Sequence, residues 1–161
     1  MSAVPSIRQA TPDDVPLIRQ LIRELAIYER AEHAAKASED DLRRTLFGDG
    51  ATAHALVCEQ DGEALGFAVY FYNYSTWHGR NGIYLEDLFV REQHRGKGAG
   101  QALLRHLARK AVAEGCGRFE WSVLDWNRPA IDFYKAAGAV AMDEWTVYRL
   151  DGQALRDFAA G

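Results

Sequence analysis

With 161 residues and 48% hydrophobic content, the chain is long enough to close one core, and a single domain over 1–161 is expected. A formal net charge of -4 argues against a nucleic-acid partner, which needs a clustered basic face. No run of about 20 apolar residues offers a membrane span, and Met1 to Ala10 lack a basic region followed by an apolar run. Cys58 and Cys116 fall on different expected elements, neither at metal-ligand spacing, which suits buried thiols in a reducing, cytoplasmic compartment.

Helix-type and strand-type segments alternate throughout, so the architecture should be mixed α/β. Residues 6–10 read as a first strand. Thr11-Pro12-Asp13-Asp14 then supplies a cap, an early proline and two carboxylates for a helix whose apolar stripe is Val15, Ile18, Ile22 and Leu25. That helix should end at Tyr28-Glu29-Arg30. Ser38 with Asp41 repeats the capping signal before Leu42, Leu46 and Phe47, and Gly48 stops the second helix. Residues 53–58 and 64–72 are β-type runs around Gln60-Asp61-Gly62-Glu63, a hairpin. A strand over 83–90 leads into a glycine cluster. An amphipathic helix follows, with Leu103, Leu104, Leu107, Ala108 and Val112, closed by Gly115 and Gly117. Residues 118–124 form the next strand, parallel to 83–90; Asn127 and Pro129 open a helix through Tyr134, and 145–150 supplies a last strand.

Arg95-Gly96-Lys97-Gly98-Ala99-Gly100 lies between a strand end and a helix start, where free backbone N–H groups and the helix dipole favour a phosphate. Its G-x-G-x-G spacing is not the dinucleotide fingerprint, and Lys97 is followed by Gly98 rather than the Gly-Lys-Ser/Thr order of a P-loop. A plain glycine-rich turn would also fit the run taken alone. Arg95, Gly98 and Gly100, however, match R-x-x-G-x-G/A, so the segment resembles the GNAT acetyltransferase superfamily, with Leu88-Phe89-Val90 as the preceding strand. Tyr74-Ser75-Thr76-Trp77, Ile83-Tyr84-Leu85-Glu86-Asp87 and Val123-Leu124-Asp125-Trp126-Asn127, continuing through Tyr134-Lys135, are similar to the diamine acetyltransferases. Among these, Ser75-Thr76-Trp77 and Leu124-Asp125-Trp126-Asn127 resemble the thialysine N-ε-acetyltransferase branch more than the spermidine/spermine branch. The similarity runs from about residue 7 to residue 150.

The resemblance implies a twisted, mixed but mostly antiparallel sheet flanked by helices, with two strands splayed apart, acetyl-CoA as co-substrate and a homodimer. It implies coenzyme contacts from Leu88, Phe89, Val90, Arg95, Gly96, Lys97, Gly98, Ala99, Gly100, Asn127, Tyr134 and Lys135. The amine would meet Tyr28, Glu29, Ser75, Thr76, Trp77, Glu86, Asp87, Leu124 and Trp145.

An alkyl amine with a pKa of about 10.4 costs roughly 4.6 kcal/mol to deprotonate at pH 7, so a proton acceptor is needed, and Glu86 is the candidate. Asp87, next along the strand, should face the other way. Tyr134 matches the family's proton donor to the departing thiolate. No Ser/His/Asp order or nucleophile elbow occurs, so direct attack in a ternary complex is expected, with the oxyanion held by a backbone N–H near Phe89 or Val90. His33, His54, His78, His94 and His106 show no metal-ligand spacing, and no metal is expected. Carboxylates and aromatic faces suit a small cationic amine, a lysine analogue or short diamine. The alternatives are polyamines, another amine served by the same superfamily, or an acyl-CoA-binding module without transfer.

Overall fold

A computed structural model describes residues 4–161, so the first three residues of the expected domain lie outside it. The chain divides into two compact units, one ending at Ser122 and the other covering Val123–Gly161.

The first unit is built on five strands in sequential order: β1 (Ser6–Gln9), β2 (Ala53–Gln60), β3 (Glu63–Ser75), β4 (Arg80–Val90) and β5 (Phe119–Trp121). The first three pairings are antiparallel and β4–β5 is parallel. The β2–β3 connection is a two-residue turn with both central residues left-handed, Asp61 at φ 53° and Gly62 at φ 77°, the geometry that matches strand twist in a tight hairpin.

Three helices serve this sheet: α1 (Val15–Tyr28), α2 (Glu39–Phe47) and α3 (Ala99–Ala113). Alternation along β3 separates two faces. Phe67 and Val69 join Val15, Ile18, Leu21, Leu25 and Leu42 of α1 and α2 in one apolar cluster with Phe89. On the alternate positions, Tyr72 donates its hydroxyl to Glu114 at the end of α3, 2.6 Å away, and Lys110 of α3 pairs with the same carboxylate at 3.0 Å.

Helix starts follow the expected chemistry. Ser38 Oγ accepts the Asp41 amide at 3.0 Å, and Asp41 returns the bond to the Ser38 amide at the same distance, a reciprocal cap. Before α1, Arg8 of β1 grips Asp14 bidentately at 2.7 and 2.8 Å and also bonds Glu59. The Arg8 guanidinium holds the Asp14 carboxyl below its usual range, so the helix entrance is tied to the edge strand by a charge-assisted pair.

The stripe on α1 passes through Leu21, fully buried, with Ile22 at its margin, and on α3 Ala111 is buried while Val112 is exposed. The rest of each stripe lies where the spacing put it, with Val15, Ile18 and Leu25 buried on α1 and Leu103, Leu104 and Leu107 on α3. β5 is shorter than the expected 118–124 strand, because its only partner is β4 and the two pair over just three residues.

The second unit holds α4 (Arg128–Ala136) and α5 (Gly152–Ala159). Asn127 Oδ1 accepts the Ala130 amide at 3.4 Å and so caps α4, and Gly138 at φ 95° closes it. The strand expected over 145–150 does not form: those residues join no ladder among the described residues and are exposed. A β-type run becomes a strand only where a neighbour accepts its backbone bonds, and residue identity alone does not supply one. Helix α5 had no counterpart in the sequence reading, although Asp151 precedes it in extended conformation, as a cap residue does.

Gly66 marks the tightest approach in the sheet, since a Cβ there would lie 2.3 Å from the Phe89 carbonyl oxygen and 3.0 Å from Val90 Cα. Both neighbours are backbone, so β4 itself would have to move. Gly66→Ala is expected to destabilise the protein by about 1–3 kcal/mol in urea titration; an unchanged midpoint would show that β4 yields freely.

Candidate active site

Two features of β4 organise the first unit's candidate residues. The first is the end of pairing: β4 and β5 match only at Ile83, Leu85 and the residue between them, while β4 continues to Val90. From Asp87 to Val90 the strand's ladder partner among the described residues is β3 alone. Backbone groups on the other side of that edge are available to a ligand.

The second is a bulge. Val69 lies opposite Asp87 and Tyr70 opposite Leu85, so Glu86 is an extra residue with no partner on β3. The extra residue interrupts the strict alternation of this strand. The two carboxylates and Glu29, the residue following α1, lie close enough to repel one another. Burial, then Glu86, then Glu29 push Asp87 up to about 7, and burial followed by repulsion from Glu86 raises Glu29. Such a cluster favours a cation, whose charge relieves all three repulsions.

Tyr28 closes the other side of this group. Its ring packs 6.4 Å from that of Phe89, and the Arg95 guanidinium lies 4.7 Å above Tyr28 and 5.8 Å from Phe89. Arg95 Nε also donates to the Val90 carbonyl at 3.1 Å. The first unit thus brings Tyr28, Glu29, Glu86, Asp87, Phe89 and Arg95 together. Ser75, Thr76 and Trp77 sit at the far end of the β3–β4 hairpin, five residues along β3 from the bulge, roughly 17 Å at 3.3 Å per residue. Ser75 is buried and its hydroxyl accepts the His78 amide at 3.2 Å, which shapes that turn. Trp77 is exposed.

The glycine run forms a loop with an open side. Gly96 and Gly98 adopt φ of 80° and 84°, a region that disfavours side chains, and a Cβ at either would meet nothing within 4 Å. Gly98 then caps α3, whose first intrahelical bond runs from the Ala102 amide to the Gly98 carbonyl, 2.9 Å. The amides of Ala99, Gly100 and Gln101 have no acceptor within the helix, the arrangement that binds anions. Leu88 and Val90 are half-buried on the strand leading into it. His94, which sequence spacing passed over, is buried beside this loop, with Glu63 and Lys97 on its two ring nitrogens. Its partner Glu63 is 31 residues away, beyond the reach of any local motif.

In the second unit, Asn127 is buried at the start of α4 and Tyr134 is half-buried in its last turn, its ring 5.5 Å from that of Phe133. Lys135 is exposed near the helix end, where its charge complements the dipole. Leu124 and Trp145 are both exposed.

The acetyltransferase (GNAT) family model matches residues 18–139. The chain belongs to that family. It is 42% identical to a thialysine N-epsilon-acetyltransferase from Bos taurus, over 95% of this chain and 96% of the relative. It is also 35% identical to an L-ornithine N5-acetyltransferase from Arabidopsis thaliana, over 93% of this chain and 86% of the relative. Among solved structures, an integron cassette protein from the mobile metagenome of V. cholerae superposes with a TM-score of 0.83 at 29% identity, covering 99% of both chains.

As a GNAT acetyltransferase, the protein uses acetyl-CoA and transfers its acetyl group to an amine. The open loop and the free amides at the α3 N-terminus fit the phosphates of that co-substrate. Among the described residues no group of three or more His, Cys, Asp or Glu is placed to hold a metal ion, and no helix is long and apolar enough to cross a membrane.

The raised Asp87 carboxyl has a stability consequence. It binds more protons in the folded than in the unfolded chain between about pH 4 and 7, so its contribution to stability is full below that window and is lost as pH rises through it. In urea titrations at pH 5 and pH 8, Asp87→Asn is expected to lose this part of the pH dependence, gaining stability relative to wild type at pH 8. An identical pH difference in both proteins would place Asp87 in a solvated setting.

Proposed function

We propose that the protein acetylates a primary amine of a small cationic substrate, a lysine analogue such as thialysine or a short diamine, by direct attack within a ternary complex. The observation that carries this reading is the cluster of Glu29, Glu86 and Asp87 beside Tyr28 on the singly paired stretch of β4. Three carboxylates and an aromatic face attract an alkylammonium by charge and cation–π contact. The bovine and Arabidopsis relatives, named for thialysine and ornithine, support a substrate of this size and charge.

Glu86 accepts the proton of the bound ammonium, directly or through water, while Asp87 and Glu29 hold the cation. Acetyl-CoA supplies an acyl group activated as a thioester. The freed amine attacks the carbonyl, a C–N bond forms, the C–S bond breaks, and Tyr134 protonates the leaving sulfur; the nitrogen's second proton passes to solvent, from which Tyr134 recovers the proton it gave. A backbone N–H near Phe89 or Val90 stabilises the oxyanion. The roles of Tyr134, Asn127 and Lys135 rest on their match to the family motif, and Asn127 fixes the helix start from which Tyr134 is presented. Ser75, Thr76, Trp77, Leu124 and Trp145 stand as substrate contacts on the same basis.

One catalytic domain over 1–161 is supported by the family match, which crosses from the first unit into the second. A homodimer is implied by the family resemblance and is consistent with the exposed apolar Val147, Tyr148 and Phe158. A cytoplasmic location accords with two free thiols, Cys58 and Cys116.

Catalytic efficiency on thialysine, lysine, putrescine and spermidine tests the substrate class. The first and the short diamine should lead, and a clear preference for spermidine would reject the assignment. Tyr134→Phe should lower turnover roughly 10- to 1,000-fold, in the lower part of the range for acid–base catalysis, with little change in acetyl-CoA affinity. Unaltered turnover would remove Tyr134 from the mechanism.

A further inference from the structure

One buried titratable side chain near the glycine loop has no part in the transfer chemistry. His94 ends the short helical turn between β4 and the loop and is 7% exposed. Its Nε2 lies 2.9 Å from Oε1 of Glu63, and its Nδ1 lies 3.5 Å from the Lys97 ammonium. These partners make opposite demands: a carboxylate only accepts and an ammonium only donates. The neutral ring with its hydrogen on Nε2 satisfies both, donating to Glu63 and accepting from Lys97. The other tautomer satisfies neither. Glu63 therefore selects the tautomer that can receive Lys97, as a carboxylate does for a ligating histidine.

The anchor is firm at one end and loose at the other. Glu63 follows the tight turn at Asp61 and Gly62, directly opposite Gln60 in the hairpin. Lys97 stands between two glycines with positive φ and is itself exposed. An exposed lysine on such a loop ordinarily samples many rotamers, and ordering it on binding costs conformational entropy. Docking one N–H on His94 restricts that freedom in advance and leaves two more donors for an anion.

We propose that Glu63 and His94 are positioning residues that hold the Lys97 ammonium beside the glycine loop to receive a phosphate of acetyl-CoA. The assignment rests on the loop being the coenzyme site, and it adds a side-chain charge, set by two residues outside the loop, to the main-chain amides.

A double-mutant cycle on CoA affinity tests it, with amine turnover measured alongside. Lys97→Met is expected to weaken CoA binding about tenfold, the loss of one charge-assisted contact. His94→Phe should weaken binding about threefold, and adding it to Lys97→Met should cost nothing further. His94→Gln, whose amide can donate to Glu63 and accept from Lys97, should restore most of the affinity. Glu63→Ala, at an exposed carboxylate, should follow His94→Phe and shift the ring-nitrogen resonances of His94 away from the Nε2–H tautomer, and it decides the matter if His94→Phe does not fold. Equal losses with CoA and dephospho-CoA would assign the contact to the diphosphate; a loss confined to CoA would assign it to the 3′-phosphate. Additive effects of His94→Phe and Lys97→Met, or wild-type affinity in Glu63→Ala, would overturn the positioning role while leaving the coenzyme site intact. Failure of the wild-type protein to bind CoA would overturn both.

Discussion

Pairing between β4 and β5 lasts for three residues, and the remaining half of β4 must find partners for its outer backbone groups elsewhere. A buried or half-buried strand cannot leave such groups unmet without losing the worth of a hydrogen bond at each. The same half-strand carries Glu86, Asp87, Phe89 and Val90, and it delivers the chain to the glycine loop. The substrate and coenzyme contacts proposed above thus begin from one interruption of the ladder. Its inner edge is held in place by β3, most closely at Gly66, so the interruption is a fixed feature of the sheet.

Charge is concentrated where the sheet is irregular. The extra residue at Glu86 adds one carboxylate to the field of Asp87, and the end of α1 adds Glu29. Among the described residues none of the three has an ion pair like that of Asp14 with Arg8. Asp14 is held low by Arg8, while burial first and then the repulsion of Glu86 and Glu29 hold Asp87 high. The first pairing serves architecture, joining β1 to the entrance of α1. The second grouping stores repulsion that a bound ammonium would relieve.

Much of this was legible in the order of residues. Ser38 with Asp41, the Asp61-Gly62 turn and the positive-φ glycines act over two to four neighbours, and each appears where local chemistry puts it. The R-x-x-G-x-G/A pattern located the loop for the same reason. What escaped was non-local. The bulge at Glu86 depends on β3 as well as β4, so alternation along one strand does not foresee it. The run over 145–150 has the composition of a strand but no adjoining ladder, and His94 acquires its meaning only from Glu63 across the hairpin. Leu21 and Ala111 join the buried stripes, Ile22 packs at the margin and Val112 is exposed, because the width of the buried face depends on what packs against the helix.

Arg95 rests its guanidinium on Tyr28 while its backbone opens the glycine loop. Stacking of this kind is worth about 0.5–1 kcal/mol at an exposed position, small beside total stability yet comparable to the differences that separate one amine from another. Replacing the ring of Tyr28 to welcome a bulkier or less basic acceptor would also remove the platform beneath that arginine. Under the proposed assignments, acceptor preference and coenzyme grip would not be independently adjustable traits, and lineages drifting toward new acceptors would have to change both positions in concert.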